Sequence, residues 1–151
     1  MIALITEYKS MSADSLIYED LSYKVRGILF KIQNDLGTKF QEKHYQRALG
    51  TLLQNEKLSF ATEVPFTLKY NNVILGNFRA DVIIEKTILL ELKTVDYLTT
   101  DHFKQTLRYL EALNLPLGYV VNFRHRPLEL RRIINSKDAS ALSAGPPGPS
   151  A

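Results

Sequence analysis

The chain has 151 residues, of which 45% are hydrophobic, so it can form the core of one compact domain but hardly of two. It contains no cysteine, which excludes disulfide bonds and thiolate metal sites and leaves oxygen or imidazole ligands, a set that favours hard cations over zinc. The net charge of +3 permits binding to a polyanion without requiring it, and the apolar stretch Met1 to Ile5 is too short for a signal peptide or membrane span, which predicts a cytoplasmic protein.

The first third of the chain predicts two helices. Residues 1–18 form a poorly defined N-terminal segment without a sustained period. From Leu21 to Leu36 apolar residues recur at helical spacing, and Gly37 marks the end of this helix because glycine adopts a left-handed backbone at little cost. A second helix is expected from about Gln41 to Asn55. Its expected inner face consists of Tyr45, Ala48, Leu49 and Leu52.

After Lys57 the composition changes to β-branched and aromatic residues, which predicts strands. Three strands are expected, at Phe60–Tyr70, Val73–Ile84 and Thr87–Val95, joined by turns at Asn71-Asn72 and Glu85-Lys86. The third strand is apolar apart from Glu91 and Lys93, a pattern typical of a central strand that is covered on both faces. Two charged residues in such a strand need a reason.

The remaining elements are one helix and two strands. Thr100 to Asn114 is expected to be helical, with Thr99 or Thr100 as its cap. The residues on its apolar face are Phe103, Leu107, Leu110 and Leu113. Strands follow at Leu117–Phe123 and Leu128–Ile134, which completes an order ααβββαββ within one domain of residues 19–135. The Ser, Ala, Gly and Pro content of residues 136–151 predicts a disordered tail.

The charged residues of the third strand suggest a catalytic site. Side chains alternate along a strand, so Glu91 and Lys93 project from the same face. If the strands pair across the Glu85-Lys86 turn, Asp81 falls directly or diagonally opposite Glu91. Two carboxylates provide oxygen ligands for Mg²⁺, which neutralises charge on a phosphoryl oxygen and lowers the pKa of bound water. Lys93 would orient this water, help to deprotonate it, or stabilise the transition state.

A simpler interpretation is an ion pair between Glu91 and Lys93 at the end of a strand, because such pairs are common. Asp81 would then merely open a strand. The combination of features favours the site: an acid precedes an apolar strand that is interrupted only by an acid and a lysine on one face.

Several motifs resemble the GxxExxY protein family of the PD-(D/E)xK nuclease-like superfamily. The resemblance covers about Leu21 to Asn135. The residues that carry it are Gly37, Phe40, Glu42 and Tyr45 in GTKFQEKHY, Asp81 in FRADV, Glu91 and Lys93 in LLELK, Gln105 and Tyr109 in KQTLRYL, Leu75-Gly76, Leu117 to Phe123 in LGYVVNF, and Arg132-Ile133. The chain departs from the family at Thr38-Lys39 and at Arg124-His125.

This resemblance implies a fold and a set of roles. The fold is α/β (α+β), with a restriction-endonuclease-like core αβββαβ, an extra N-terminal helix and a mixed central sheet. Asp81 and Glu91 correspond to the metal-binding acids, and Lys93 to the lysine of the active site. Glu42 corresponds to an additional acid on the first core helix, and Gln105 to a glutamine that positions water, metal or phosphate.

Basic residues near these positions suggest contact with nucleic acid. Lys43 and Arg47 follow Glu42, and Lys104 and Arg108 flank Gln105, so all four are predicted to bind phosphates. Other basic residues nearby are Lys39, His44, Arg124 and Arg126. A solvated basic face is the simpler interpretation for any one of them. Tyr45 and Tyr109 are assigned to packing.

Three hypotheses follow for the function. The leading one is a Mg²⁺- or Mn²⁺-dependent nuclease, endonuclease or exonuclease, that acts on DNA in preference to RNA. The second is a catalytically inactive nuclease-like module that binds nucleic acid or protein. The third is a domain that works only within an oligomer or a larger complex. A homodimer is a further candidate assembly, and no membrane partner is expected.

Overall fold

The computed structural model describes residues 4–6 and 18–136, and these residues form six strands and three helices. In chain order the elements are β1 (Leu4–Thr6), α1 (Glu19–Leu36), α2 (Glu42–Asn55), β2 (Phe60–Tyr70), β3 (Val73–Ile84), β4 (Ile88–Lys93), α3 (Thr100–Leu113), β5 (Leu117–Asn122) and β6 (Glu129–Ile134). The tail that is predicted to be disordered lies outside the described residues, apart from Ser136.

The strands form one mixed sheet in the order β1-β6-β5-β4-β3-β2. β1 is parallel to β6, and β4 is parallel to β5, whereas the other neighbours are antiparallel. α1 and α2 pack on one face of the sheet, and α3 packs on the other. The predicted fold class and the order ααβββαββ are therefore confirmed. β1 is an addition that the sequence does not predict, because three residues are too few to show a period.

β4 is the central strand of the domain. Every residue from Ile88 to Leu92 is at most 4% exposed, as the prediction of a strand covered on both faces requires. Ile88, Leu90 and Leu92 belong to the larger core cluster, beneath α1 and α2, whereas Leu89 belongs to the smaller cluster beneath α3. Glu91 and Lys93 share the parity of Leu89 and so lie on the α3 side of the strand.

The helix boundaries agree with the predicted ones to within two residues, and the buried faces differ in detail. Gly37 ends α1 with a φ of 82°, as expected for the glycine after a helix. In α2, Leu53 is buried in place of the expected Leu52, which is only half-buried. The reason is that α2 faces the sheet along the line from Tyr45 through Leu49 to the residue four positions later.

The apolar face of α3 also needs a correction. Thr99 is the cap, and the residues of α3 that are fully buried are Thr106 and Leu110. Phe103 and Leu107 are only half-buried, because they border a groove between α3 and β6 rather than the centre of the sheet.

β2 and β3 extend beyond the rest of the sheet as a two-stranded ribbon. Phe60 packs under α2, whereas Phe66 on the same strand packs against α3; likewise Val82 and Ala80 belong to opposite faces. Residues of equal parity normally share a face of a strand, so both strands change face between these positions. On β2 the change occurs at Glu63, which has a φ of 51°, an uncommon conformation for a residue other than glycine. On β3 it falls between Ala80 and Val82.

The helices carry charged residues on their outer faces. α1, the longest with 18 residues, includes Glu19, Lys24 and Lys31. In the described part of the chain, no helix combines the length and the apolar character that a membrane crossing requires. The cytoplasmic location itself stays a prediction.

Candidate active site

Asp81 and Glu91 lie opposite each other at the point where β3 and β4 diverge. The backbone pairing of the two strands includes Val82 with Leu90 and continues to the turn at Glu85. Beyond it, each acid accepts a hydrogen bond from the opposite strand: Asp81 N donates to Glu91 Oε2 over 3.0 Å, and Leu92 N donates to Asp81 Oδ2 over 2.7 Å. The predicted pairing across the turn is confirmed, and it brings both carboxylates together.

The surroundings of these acids disfavour their charged forms. Glu91 is only 4% exposed, and burial together with the neighbouring charge of Asp81 raises its pKa to about 8. Burial also raises the pKa of Asp81 to about 6, although the hydrogen bond from Leu92 N and the charge of Lys93 oppose this rise. Two desolvated acids of like charge are stabilised by a cation placed between them, so the pair is suited to bind one.

Lys93 contacts α3 rather than Glu91. Its Nζ donates a hydrogen bond to Gln105 Oε1 over 3.4 Å, and Gln105 Nε2 donates to the Tyr109 hydroxyl over 3.4 Å. Within residues 18–136, no salt bridge joins Glu91 to Lys93. The simple ion pair considered for this strand is therefore absent from the described structure, and Gln105 lies beside the lysine.

Glu42 approaches the acids from the opposite side of the sheet. As the first residue of α2 it is exposed, and with Lys43 it borders a depression of about 280 Å³ whose wall includes Asp81. The charge of Glu42 contributes to the raised pKa of both Asp81 and Glu91. The family resemblance therefore pointed to Glu42, which the fold places beside Asp81 and Glu91.

Two residues of the depression are not predicted from the sequence, Gln46 and Glu63. Gln46 Nε2 donates to the backbone carbonyl of Asp81 over 2.9 Å and to Glu63 Oε2 over 3.0 Å. Glu63 Oε1 also lies 3.6 Å from Arg79 Nη1. Gln46 follows Glu42 by four residues, a spacing that could have nominated it. Glu63 has no such signal, because its position depends on the left-handed backbone and on the register of β2.

The side chains of Tyr45 and Asn122 hold the loops that flank the site. Tyr45 is fully buried, stacks on Phe123 with ring centroids 4.2 Å apart, and donates its hydroxyl to the Gly37 carbonyl over 2.7 Å. It therefore anchors the loop that precedes Glu42, in addition to the predicted packing. Asn122, which is also fully buried, bonds both backbone groups of Val95 and thereby holds the loop between Lys93 and α3.

The four predicted phosphate-binding residues lie in different places. Lys43 borders the depression, and Arg47 is exposed one turn later on α2. Arg108 lies on α3 at an apolar pocket beside Tyr109. Lys104 faces the groove between α3 and β6, away from the acids. Lys43 and Arg108 are thus adjacent to the site, and the roles of all four stay predictions.

The acids fit a hydrated cation better than a fully enclosed one. Among the described residues, no three Asp, Glu or His side chains are grouped closely enough to form a complete metal cage. One oxygen of Asp81 and one of Glu91 accept backbone hydrogen bonds, which leaves the second oxygen of each for a ligand. Mg²⁺ commonly takes one or two carboxylates and completes its shell with water and substrate phosphate, so this donor set suits it.

A family model described as the PD-(D/E)XK nuclease superfamily matches residues 19–133, which is well over half of the chain. That range includes every residue of the site described above. A search of curated proteins finds no match.

Proposed function

The chain belongs to the PD-(D/E)XK nuclease superfamily, and from this premise we propose that it is a metal-dependent nuclease that hydrolyses phosphodiester bonds in DNA rather than RNA. Water is the nucleophile. The observation that carries the proposal is the pairing of Asp81 and Glu91 beside Lys93, where two desolvated acids face a lysine held by a neighbouring helix.

Each residue has a defined part in this proposal. Asp81 and Glu91 would hold Mg²⁺ or Mn²⁺, which when bound neutralises charge on the phosphoryl oxygens and activates water. Lys93, kept in place by its bond to Gln105, orients the attacking water or stabilises the charge that develops on the phosphoryl group. Glu42 and Gln46 line the opposite wall, where Gln46 fixes the backbone of Asp81.

We further assign the chain to the GxxExxY family within the superfamily. The motifs around Glu42 and Tyr45 support this assignment. The motif GxxExxY has its glycine three residues before the glutamate, and at that position this chain has Lys39. The glycine of the loop is instead Gly37, whose left-handed backbone ends α1.

Cleavage assays with variants that each remove one charge from the site test the proposed activity. The full chain is incubated in Mg²⁺ or Mn²⁺ with labelled single-stranded, duplex and branched DNA and with RNA. Glu91→Gln and Lys93→Gln are expected to lower kcat/KM by at least about a hundredfold, the scale of losing one electrostatic stabiliser. Glu56→Gln, at an exposed acid beyond the end of α2, is the matched control. Cleavage that is unchanged in both site variants contradicts the proposal.

The alternative is a nuclease-like module that binds nucleic acid or protein without turnover. One observation favours it: backbone amides already occupy one oxygen of Asp81 and one of Glu91. Calorimetric titration with Mn²⁺ separates the two functions. Binding that Glu91→Gln abolishes supports the nuclease, and an absence of binding at millimolar metal supports the module.

A further inference from the structure

An apolar pocket of about 310 Å³ lies between α3 and the ribbon of β2 and β3. Its main walls are the side chains of Phe66, Leu68, Phe78, Arg108, Tyr109 and Ala112. The three aromatic rings contact one another, with centroids between 4.9 and 5.8 Å apart. Phe78 is 38% exposed and Leu68 is 41% exposed, so the pocket presents aromatic and aliphatic surface to solvent.

A chain of hydrogen bonds links the wall of this pocket to Lys93. Tyr109 forms part of its wall and accepts a hydrogen bond from Gln105, which in turn accepts one from Lys93. Gln105 and Ala112 are seven residues apart on the same side of α3, a separation of about 10 Å along the helix axis. A nucleotide adjacent to a phosphodiester bound at Lys93 therefore lies within reach of the pocket.

The chemistry of the walls matches a nucleobase. Aromatic rings and a guanidinium bind bases by stacking, and this interaction depends little on the base because every base has a π-face. At the rim, Arg108 provides hydrogen-bond donors and Glu111 provides an acceptor for the polar edge of a base. A paired duplex presents phosphates outward and keeps its bases stacked, so it has no group that fills an aromatic pocket.

We propose that the pocket binds an unpaired base next to the scissile phosphodiester. The substrates are then single strands, overhangs or flaps in preference to fully paired duplexes. The position of the scissile bond in this inference rests on the proposed nuclease function, whereas the binding of the base rests on the pocket itself. DNA and RNA share the stacking chemistry, and the experiment below includes both.

Binding is measured in EDTA, by fluorescence anisotropy of the full chain with labelled duplexes that carry a short single-stranded overhang, because the junction restricts the register of the unpaired strand. A single abasic nucleotide is moved along the strand, which removes one base and keeps every phosphate. At one or two positions the loss of the base is expected to weaken binding by on the order of tenfold to a hundredfold. Phe78→Leu is expected to lose the same affinity and to show no further abasic effect, whereas Phe78→Tyr retains both.

The matched control is Tyr23→Ala, which removes a 73% exposed aromatic ring from α1, on the other face of the sheet. It is expected to bind as the unchanged protein does. Thermal melts of all variants verify that they are folded. The RNA oligonucleotides distinguish a pocket that accepts either sugar from one that requires DNA.

Several results would overturn the base pocket. The first is an abasic nucleotide that weakens binding equally at every position. The second is a Phe78→Leu variant whose affinity still depends on the position of the abasic nucleotide. The third is a blunt duplex that binds as tightly as a duplex with an overhang. A dimer that Phe78→Leu dissociates, with an unchanged abasic profile, would identify a second copy as the occupant. If the protein cleaves in Mg²⁺ or Mn²⁺ but its affinity does not depend on the position of the abasic nucleotide, only the base pocket is contradicted. If the affinity depends on that position but no cleavage occurs, only the proposed activity is contradicted.

Discussion

Two neighbouring regions of the β3–β4 hairpin are built in opposite ways. Near the turn the strands pair backbone to backbone, and residues such as Val82 and Leu90 are fully buried apolar groups. One residue further on, Asp81 and Glu91 replace the backbone pairs with hydrogen bonds from the opposite strand's amides to their own carboxylates. The first region stabilises the fold by burial, and the second holds two acids where water is scarce.

The difference shows how a sheet can carry a charged site. The apolar pairs fix the positions of the two strands, and this rigidity, together with the two backbone hydrogen bonds, keeps the two acids close together. The raised pKa values of both acids indicate that the site disfavours the charged form of its own carboxyl groups. A substitution in the apolar region should therefore lower the free energy of unfolding, whereas removal of a carboxylate from the site should not.

The largest expected effect contrasts the adjacent residues Leu90 and Glu91. Leu90→Ala leaves a cavity in a fully buried position and is expected to lower the free energy of unfolding by about 2–5 kcal/mol. Glu91→Gln is expected to cause no loss at pH 8 without metal, because it removes a buried charge. Urea denaturation measures both, with Ile74→Ala at an exposed ribbon position as the control. An equal loss in the two variants would remove the distinction between the regions.

The next largest loss of stability is expected at Asn122, a residue outside the hairpin that holds the loop after Lys93. Asn122 donates to the Val95 carbonyl over 2.8 Å and to Glu129 Oε1 over 3.0 Å. Asn122→Ala removes the side-chain partner of both backbone groups of Val95 and one of the two donors to Glu129 Oε1, which keeps its bond from Leu98 N. It is expected to lower the free energy of unfolding by about 2–3 kcal/mol. The same denaturation assay applies. Asn77→Ala, which removes an exposed cross-strand bond to Thr67, is expected to lower it by less than about 1 kcal/mol.

The pH dependence of metal binding sharpens the contrast further. Glu91 must lose its proton to bind a cation, and its pKa is raised to about 8. The apparent affinity for Mn²⁺ is therefore expected to rise roughly tenfold per pH unit between the pKa of Asp81, about 6, and that of Glu91, about 8, and then to level off. Calorimetry across this range measures the slope, and Glu91→Gln should abolish both the slope and tight binding. An affinity that is constant with pH would contradict the raised pKa.

The stability of the metal-free protein should change in the opposite sense. A carboxyl group with a raised pKa keeps its proton in the folded state at pH values where the unfolded chain has released it. The unfolded state is therefore increasingly favoured as pH rises from the ordinary pKa of 4.5 towards 8. Unfolding curves without metal should show this decline, and saturating Mn²⁺ should reverse it.

The sequence predicts the part of the site that depends on local periodicity. Strand alternation and the Glu85-Lys86 turn suffice to bring Asp81 opposite Glu91. The proximity of Glu42 and Gln105 is different, because each lies on a helix whose position depends on tertiary packing. Only the resemblance to a known family nominated these two residues.

Other features have no signal in a single sequence. The pocket beside Tyr109 exists because Phe66 and Phe78 turn towards α3 only after the ribbon has changed face. Helical spacing cannot show that Leu53 is buried in place of Leu52, because the rotation of α2 is set by its contact with the sheet. These features depend on twist and packing, which residue patterns do not specify.

The smallest expected effect tests the change of face itself, at Glu63. Its φ of 51° is unfavourable for any residue with a Cβ, by roughly 1–2 kcal/mol, whereas glycine adopts it freely. Both Glu63→Ala and Glu63→Gly remove the contact with Gln46, so their difference isolates the backbone. The glycine variant is expected to be more stable than the alanine variant by about 1 kcal/mol.

The matched position is Ala61, two residues earlier on β2, where the backbone is not left-handed. There the same comparison should reverse, because glycine in an ordinary strand is less stable than alanine by about 0.5–1 kcal/mol. Urea denaturation of the four proteins gives both differences. If glycine is the less stable residue at both positions, β2 crosses between the two faces without left-handed backbone, and Glu63 then reaches Gln46 by another route.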